Sequence, residues 1–174
     1  MWSSWQNIEH AKAEQRGYYG LYQIRMVNEI GNPLPIQRIA GIDKEGIIYI
    51  GRAIPRNTLA RRIREFQGTA QLKNASHSGG ETYVLMQTNL KYSDHTYKNH
   101  KLQYRVKHLY TDRIELELDE QENFKHKVKK GEEKALADYF NKYAELPPCN
   151  SNFPGKWSGF TNRLKELWGM GRQE

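Results

Sequence analysis

The sequence predicts an α+β fold in which a small mixed or antiparallel central sheet is flanked by helices within a single domain. Three observations lead there. Some segments alternate apolar and polar residues with period two, others repeat them with period 3.6, and the helical segments fall unevenly between the strands instead of alternating with them. At 174 residues the chain suffices for one core and is short for two full domains.

Residues 4–16 read as a short amphipathic helix capped by Ser3 or Ser4, with Trp5, Ile8 and Lys12 on one side. Tyr18 to Val27 switches to period two, with Tyr22, Ile24 and Met26 on one face and Leu21, Gln23 and Arg25 on the other, a first strand. Gly31, Pro33, Pro35, Gly41 and Gly46 break residues 28–46 into an irregular loop or long hairpin connection. Ile47 to Gly51 is apolar on both faces, as a covered central strand is. Thr58 then caps a helix running to about Gln67, with Leu59, Ile63 and Phe66 inward. After a polar loop over 68–80 come three strand candidates, Thr82 to Thr88, Leu102 to His108 and Arg113 to Leu118. A late helix runs from Gly131 to about Ala144 with Leu136, Phe140 and Tyr143 inward, Pro147-Pro148 stops it, and a last amphipathic helix spans 160–168.

Composition narrows the function classes. No uninterrupted apolar stretch is longer than the four residues of Ile47-Ile48-Tyr49-Ile50, far below the roughly 20 residues of a membrane-spanning helix, so no membrane partner is expected. The N-terminus has neither a cationic nor an apolar leader, which suggests a cytoplasmic location. One cysteine, Cys149, excludes an intramolecular disulfide and every multi-cysteine metal framework. Lys and Arg number 27 against 20 Asp and Glu, net +7, which points to a polyanion, either nucleic acid or anionic lipid.

Two charged residues point inward by helical spacing, Arg62 with Leu59, Ile63 and Phe66, and Glu133 with Leu136, Ala137 and Phe140. Burying an ion costs several kcal/mol unless it is paired, so these two either form a buried salt bridge, reach water at the edge of their stripes, or serve a site. Tyr22 and Tyr49 stand on the first two strands, where each taken singly reads as a core residue whose hydroxyl needs one partner.

Together these residues resemble the motifs of the GIY-YIG nucleases. Gly20-Leu21-Tyr22-Gln23-Ile24 looks like the family's first tyrosine motif, with Leu in place of the middle Ile, and Ile48-Tyr49-Ile50-Gly51 matches the second. Leu59-Ala60-Arg61-Arg62-Ile63 is similar to the arginine helix, Glu132-Glu133-Lys134-Ala135-Leu136 to the glutamate helix, and Leu146-Pro147-Pro148-Cys149-Asn150 to the proline-asparagine stretch that closes the core. The resemblance covers residues 20–150, within a core over 18–150; residues 92–128 exceed what the family core needs and read as an insertion.

The resemblance implies a metal-dependent DNA endonuclease, most like the stand-alone restriction enzymes of the family, that would cut both strands as a homodimer. Glu133, or its neighbour Glu132, would hold Mg²⁺ or Mn²⁺, Arg62 would grip the phosphate, and Tyr22 or Tyr49 would take the proton from water. Asn150 would orient the active-site helices, unless it is only a turn residue after Pro-Pro. Arg52, Arg56 and Arg61 near the arginine helix, and Lys101 and Arg105 further on, would meet DNA. His77 reads either as an acid supporting the site or as a solvated loop histidine; His95, His100 and His108 fit no zinc spacing. Residues 51–76 carry six basic side chains against Glu65, and residues 91–108 carry five against Asp94 with Tyr92, Tyr97 and Tyr104 interleaved, a mix suited to backbone contacts and stacking. The rivals are an idle nucleic-acid-binding module with this fold, a repair or mobile-element nuclease, and a structural protein.

Overall fold

The computed structural model describes residues 1–11, 18–55, 57–73, 76–93, 99–110 and 118–151. Strands β1 (Gln6–Asn7), β2 (Tyr19–Val27), β5 (Ile47–Ala53) and β6 (Lys101–Tyr110) form an antiparallel sheet in the order β1-β6-β2-β5. Strands β3 (Ile36–Arg38) and β4 (Gly41–Asp43) make a separate two-stranded ribbon. Helices α1 (Leu59–Ala70), α2 (Ser78–Ser93) and α3 (Leu118–Tyr143) complete an α+β architecture.

Each face of the sheet has its own helical cover. Tyr22, Ile24 and Met26 of β2, with Tyr104 and Val106 of β6, bury against Leu59, Ile63 and Phe66 of α1 and Tyr83 of α2. Leu21 of β2, with Ile47 and Ile50 of β5, packs against Phe124, Val128, Leu136, Tyr139 and Tyr143 of α3. A register shift between Ile24 and Arg25 lets β5 serve both faces: Ile24 pairs Tyr49 but Arg25 pairs Ile47, so Ile48 and Tyr49 both join the α1 side. This explains why the strand is apolar throughout.

Four sequence expectations change. The expected helix over 4–16 is instead β1 followed by a single 3₁₀ turn, Ile8–His10, while residues 12–17 lie outside the described residues. The free edge of β6 takes up this segment: Gln6 pairs Tyr104, and Ser3 N–H reaches the carbonyl of Val106 at 2.8 Å. The Thr82–Thr88 strand is instead the middle of α2, despite its β-branched and aromatic content. Its threonines are reconciled to the helix by donating to carbonyls four residues back, Thr82 to Ser78 and Thr88 to Val84, and Gly80 lets α2 approach Thr69 of α1, where a Cβ would come within 2.7 Å. The late helix begins at Leu118, well before Gly131, with Asp119 and Glu120 in its first turn where the helix dipole favours anions. Finally, β6 lies within the stretch expected to be an insertion, yet it is an interior strand between β1 and β2. Most of the Arg113–Leu118 candidate and all of the 160–168 helix fall outside the described residues.

Among the described residues no helix is long and apolar enough to cross a membrane.

The long connection between β2 and β5 is tied to α3 by one buried carboxylate. Asp43 is fully enclosed; it accepts from Ile47 N–H and Glu45 N–H, each at 2.9 Å, and from the hydroxyls of Tyr139 at 2.9 Å and Tyr143 at 3.4 Å. Asp43→Ala strands two buried hydroxyls and a strand amide, so we predict a loss on the order of 3 kcal/mol, read as a lower urea midpoint at unchanged slope.

Candidate functional site

The first tyrosine pair is set by strand register. Tyr22 lies opposite Gly51 and Ile24 opposite Tyr49, which brings the two phenol rings to 5.7 Å with a 42° tilt. Gly51 leaves the space they use, since a Cβ there would stand 2.8 Å from the Tyr22 hydroxyl oxygen and 2.5 Å from the Tyr49 ring. Gly79 borders Tyr49 from the other side, where a Cβ would come within 2.5 Å of the ring. Gly20, in the first motif, is at φ +148° and its missing Cβ would collide with the Lys107 carbonyl at 2.2 Å. The glycines of both motifs are therefore required by close backbone and ring approach.

His77 is not solvated; it is 2% exposed and sits immediately before α2 against Tyr22, Tyr49 and Phe66. Its Nδ1 receives Gly80 N–H at 3.3 Å, which assigns the proton of the neutral ring to Nε2. That Nε2 lies 2.8 Å from the Tyr22 hydroxyl and donates to it. Tyr49 beside it raises the Tyr22 pKa further, whereas the interaction with Tyr22 eases that of Tyr49. Burial pulls His77 down from 6.5 to about 4, with the Arg62 charge adding to it.

Both phenols are harder to ionise than free tyrosine, chiefly because they are buried. Tyr22 is 0% exposed and held well above 10; Tyr49 is 9% exposed and the more open of the two. Arg62 works against burial for both tyrosines. It is half-buried on α1, its Nη1 bonded to Glu65 at 2.6 Å.

From α3 it is Glu132, not Glu133, that belongs to this group. Glu132 is 8% exposed and its charge acts on both tyrosines and on Arg62, whereas the Glu133 side chain is 36% exposed and lies 4.0 Å from Lys129. The expected Arg62–Glu133 pair does not form. The buried stripe of α3 is Phe124, Val128, Glu132, Leu136, Tyr139 and Tyr143, at spacings of three and four, which the choice of Phe140 as an inward residue had displaced by one position. Burial raises the Glu132 carboxyl, and Arg52 beside it opposes that rise. Arg52 Nη1 stands 2.9 Å from Glu132 Oε2 without hydrogen-bond alignment, so this buried nitrogen has no acceptor in line.

Asn150 holds strand β5 instead of a helix. Its Oδ1 accepts from Ile50 N–H at 2.9 Å and its Nδ2 donates to Ile50 C=O at 2.8 Å, while Cys149 N–H bonds Ile48 C=O at 2.8 Å. Cys149 is buried, its thiol pushed up to about 12.

The expected DNA-contact residues scatter. Arg61 is exposed on α1 and bonded to Glu65 at 2.8 Å. Lys101 is exposed and donates to Glu29 C=O at 3.2 Å. Arg105 is committed elsewhere: it bonds Gln23 at 2.6 Å and Glu45 at 3.0 Å, and stacks over Trp5 at 4.4 Å and Trp2 at 5.3 Å. Tyr104 is fully buried and cannot stack on a base. Arg56, and the side chains of Lys91, Tyr92, His95, Tyr97 and Lys98, lie outside the described residues.

Two cavities, of about 300 Å³ between α3 and the sheet and about 250 Å³ between α1, α2 and β6, are lined by none of Tyr22, Tyr49, Arg62 or Glu132. Comparison with known protein families, with characterised proteins and with solved structures gave no match.

Two outcomes test this geometry. Gly51→Ala forces the phenols apart and is expected to cost about 1–3 kcal/mol by overpacking, seen as a lower Tm. The second concerns pH. Because native His77 stays neutral down to about 4 while unfolded His takes a proton below about 6.5, its stability contribution is complete above 6.5 and is lost as pH falls toward 4. Urea unfolding at pH 7 and pH 5 should show that His77→Gln removes part of the wild-type loss of stability; identical pH dependence in both proteins would contradict the neutral buried imidazole.

Proposed function

We propose that this chain is a metal-dependent DNA endonuclease of the GIY-YIG type. The observation that carries the reading is that Tyr22 and Tyr49, their rings 5.7 Å apart, lie within electrostatic reach of Arg62 and Glu132; the four come from four different elements, three of them singled out by motif order and Glu132 standing next to the Glu133 to which that order pointed. A chain that needed these groups only for packing would gain little from two buried phenols, a cation and a carboxylate within one another's fields.

The donor set fits a hard cation, with Glu132 as its protein ligand. Among the described residues no three His, Cys, Asp or Glu side chains gather to enclose a metal ion, so a cation at Glu132 would keep most of its water shell, the coordination Mg²⁺ favours. When bound there, Mg²⁺ or Mn²⁺ would polarise a phosphate oxygen and steady the departing 3′ oxygen.

The other groups divide the work. Arg62, which stays charged under all conditions, offers its guanidinium to the scissile phosphate in exchange for Glu65. Arg52 Nη1, unaligned with its carboxylate, supplies a further donor to a phosphate oxygen. Tyr49 is the better placed base, being less buried than Tyr22 and eased by its interaction with Tyr22. Tyr22 and His77 are then positioning residues: His77 Nε2–H fixes the Tyr22 hydroxyl, and the Tyr22 ring packs 5.7 Å from that of Tyr49. Both phenols resist ionisation, so Tyr49 would first have to release its own proton to solvent, with a cation held at Glu132 adding to Arg62 the positive charge that steadies the tyrosinate, before it could take the proton of the attacking water.

The test is cleavage of supercoiled and linear mixed-sequence DNA with Mg²⁺. Glu132→Gln, Arg62→Gln and Tyr49→Phe should each lower the rate at least about 100-fold, whereas Glu133→Gln should stay near wild type. No metal-dependent cleavage by the folded wild-type chain would sink the enzyme reading and leave the idle binding module.

A further inference from the structure

The N-terminal half of α3 carries a charge run that the functional site does not use. Residues 125–131 read Lys-His-Lys-Val-Lys-Lys-Gly, with four lysines and no acidic residue. All of it is helical, and the apolar residue within it, Val128, is fully buried against the sheet. Successive residues on a helix turn by about 100°, so Lys125 lies about 20° and Lys129 about 60° around the axis from Glu132. Lys127 and Lys130 lie roughly 140° or more away. The four lysines therefore form two rows, and one of them leads along the helix to the carboxylate of the candidate site.

We propose that Lys125 and Lys129 are the phosphate track of this protein, holding a nucleic-acid backbone along α3 and leading it toward Glu132 and Arg52. The inference rests on the nuclease reading only for the identity of the polyanion. Both side chains are part-exposed, 38% and 46%, and among the described residues each is paired with a glutamate on its own helix, Lys125 with Glu122 and Lys129 with Glu133 at 4.0 Å. Surface pairs of this kind contribute about 0–1 kcal/mol, so phosphates can replace them at small cost. The neighbouring glutamate of the pair, Glu133, then serves as a placeholder beside the track. The two rises along the helix, roughly 6 Å from Lys125 to Lys129 and 4.5 Å on to Glu132, place the three in file on one side.

A lipid surface is the less suitable partner. A helix that lies on a membrane inserts an apolar face, and the apolar face of α3, from Phe124 through Tyr143, is already spent on the sheet. Nucleic acid needs only the charge, and the charge stands next to groups suited to a phosphodiester.

Binding of a fluorescein-labelled mixed-sequence DNA duplex, measured by anisotropy in EDTA over a series of KCl concentrations, tests the track without any cleavage. Lys125→Gln/Lys129→Gln should weaken binding on the order of 10-fold and reduce the slope of log K against log salt by roughly 1.8, the release expected for two phosphates. Lys127→Gln/Lys130→Gln removes the same charge from the far row and should retain most of both; circular dichroism and Tm confirm that both variants fold. Equal losses in the two variants, no loss in either, or wild-type binding to phosphatidylserine vesicles without binding to DNA would each overturn the track. DNA binding that follows the near row without any cutting in Mg²⁺ would support the track while ending the nuclease reading, so the two fail separately.

Discussion

The pairing of β2 with β5 is the constraint on which the rest depends. Because Tyr22 faces Gly51 across that pair, two aromatic side chains from adjacent strands occupy volume that any other residue at position 51 would fill. The same pair contains the register shift that turns Ile48 and Tyr49 toward α1 while Ile47 and Ile50 face α3. Slipping this register by one residue would exchange the two faces of β5, sending Tyr49 to α3 and exposing the opposite core. His77, Gly79 and Phe66 pack on the tyrosines only because that register holds.

A second constraint is electrostatic. Among the described residues the charges near the tyrosines have partners: Arg62 holds Glu65, and Arg52 holds Glu132. The group is thus self-compensated in the free chain, which lets it be buried without an uncompensated ion. Its pairs differ in quality, however. Arg62 makes a short, aligned bond, whereas the buried Arg52 nitrogen meets its carboxylate out of line. The weaker pair is the one that holds the more buried of the two carboxylates, Glu132, so exchange of partners costs least where a phosphate or cation would enter.

The legibility of the sequence followed the strength of its periodicity. β2, β5, α1 and the interior of β6 were recoverable because each has an apolar alternation or stripe matched to one face of the sheet, and the glycines and tyrosines of the two motifs stand where ring contact requires them. α2 was misread because Thr, Tyr and Val favour strands locally, whereas the helix packs on α1, with Gly80 close to Thr69 and Tyr83 in the shared core. The choice of Glu133 over Glu132 came from counting Phe140 as inward; the true stripe follows Tyr139 and Tyr143, whose hydroxyls reach Asp43 across the fold. Asp43 and His77 had no periodic signal at all. Their partners lie 96 and 55 residues away in the chain, and no local pattern encodes such a meeting.

Strand β5 is the outer strand of the sheet, and its unpaired side would otherwise expose a ladder of free amides and carbonyls. Residues 149 and 150 occupy that side, the carboxamide of Asn150 imitating one residue of a neighbouring strand. The opposite border, β1, is two residues long. The molecule thus carries its own protection against edge-to-edge self-association: a chain ending at Tyr143 would retain every described strand and helix yet offer β5 as a template for foreign strands, and would be lost to aggregation before it was lost to unfolding.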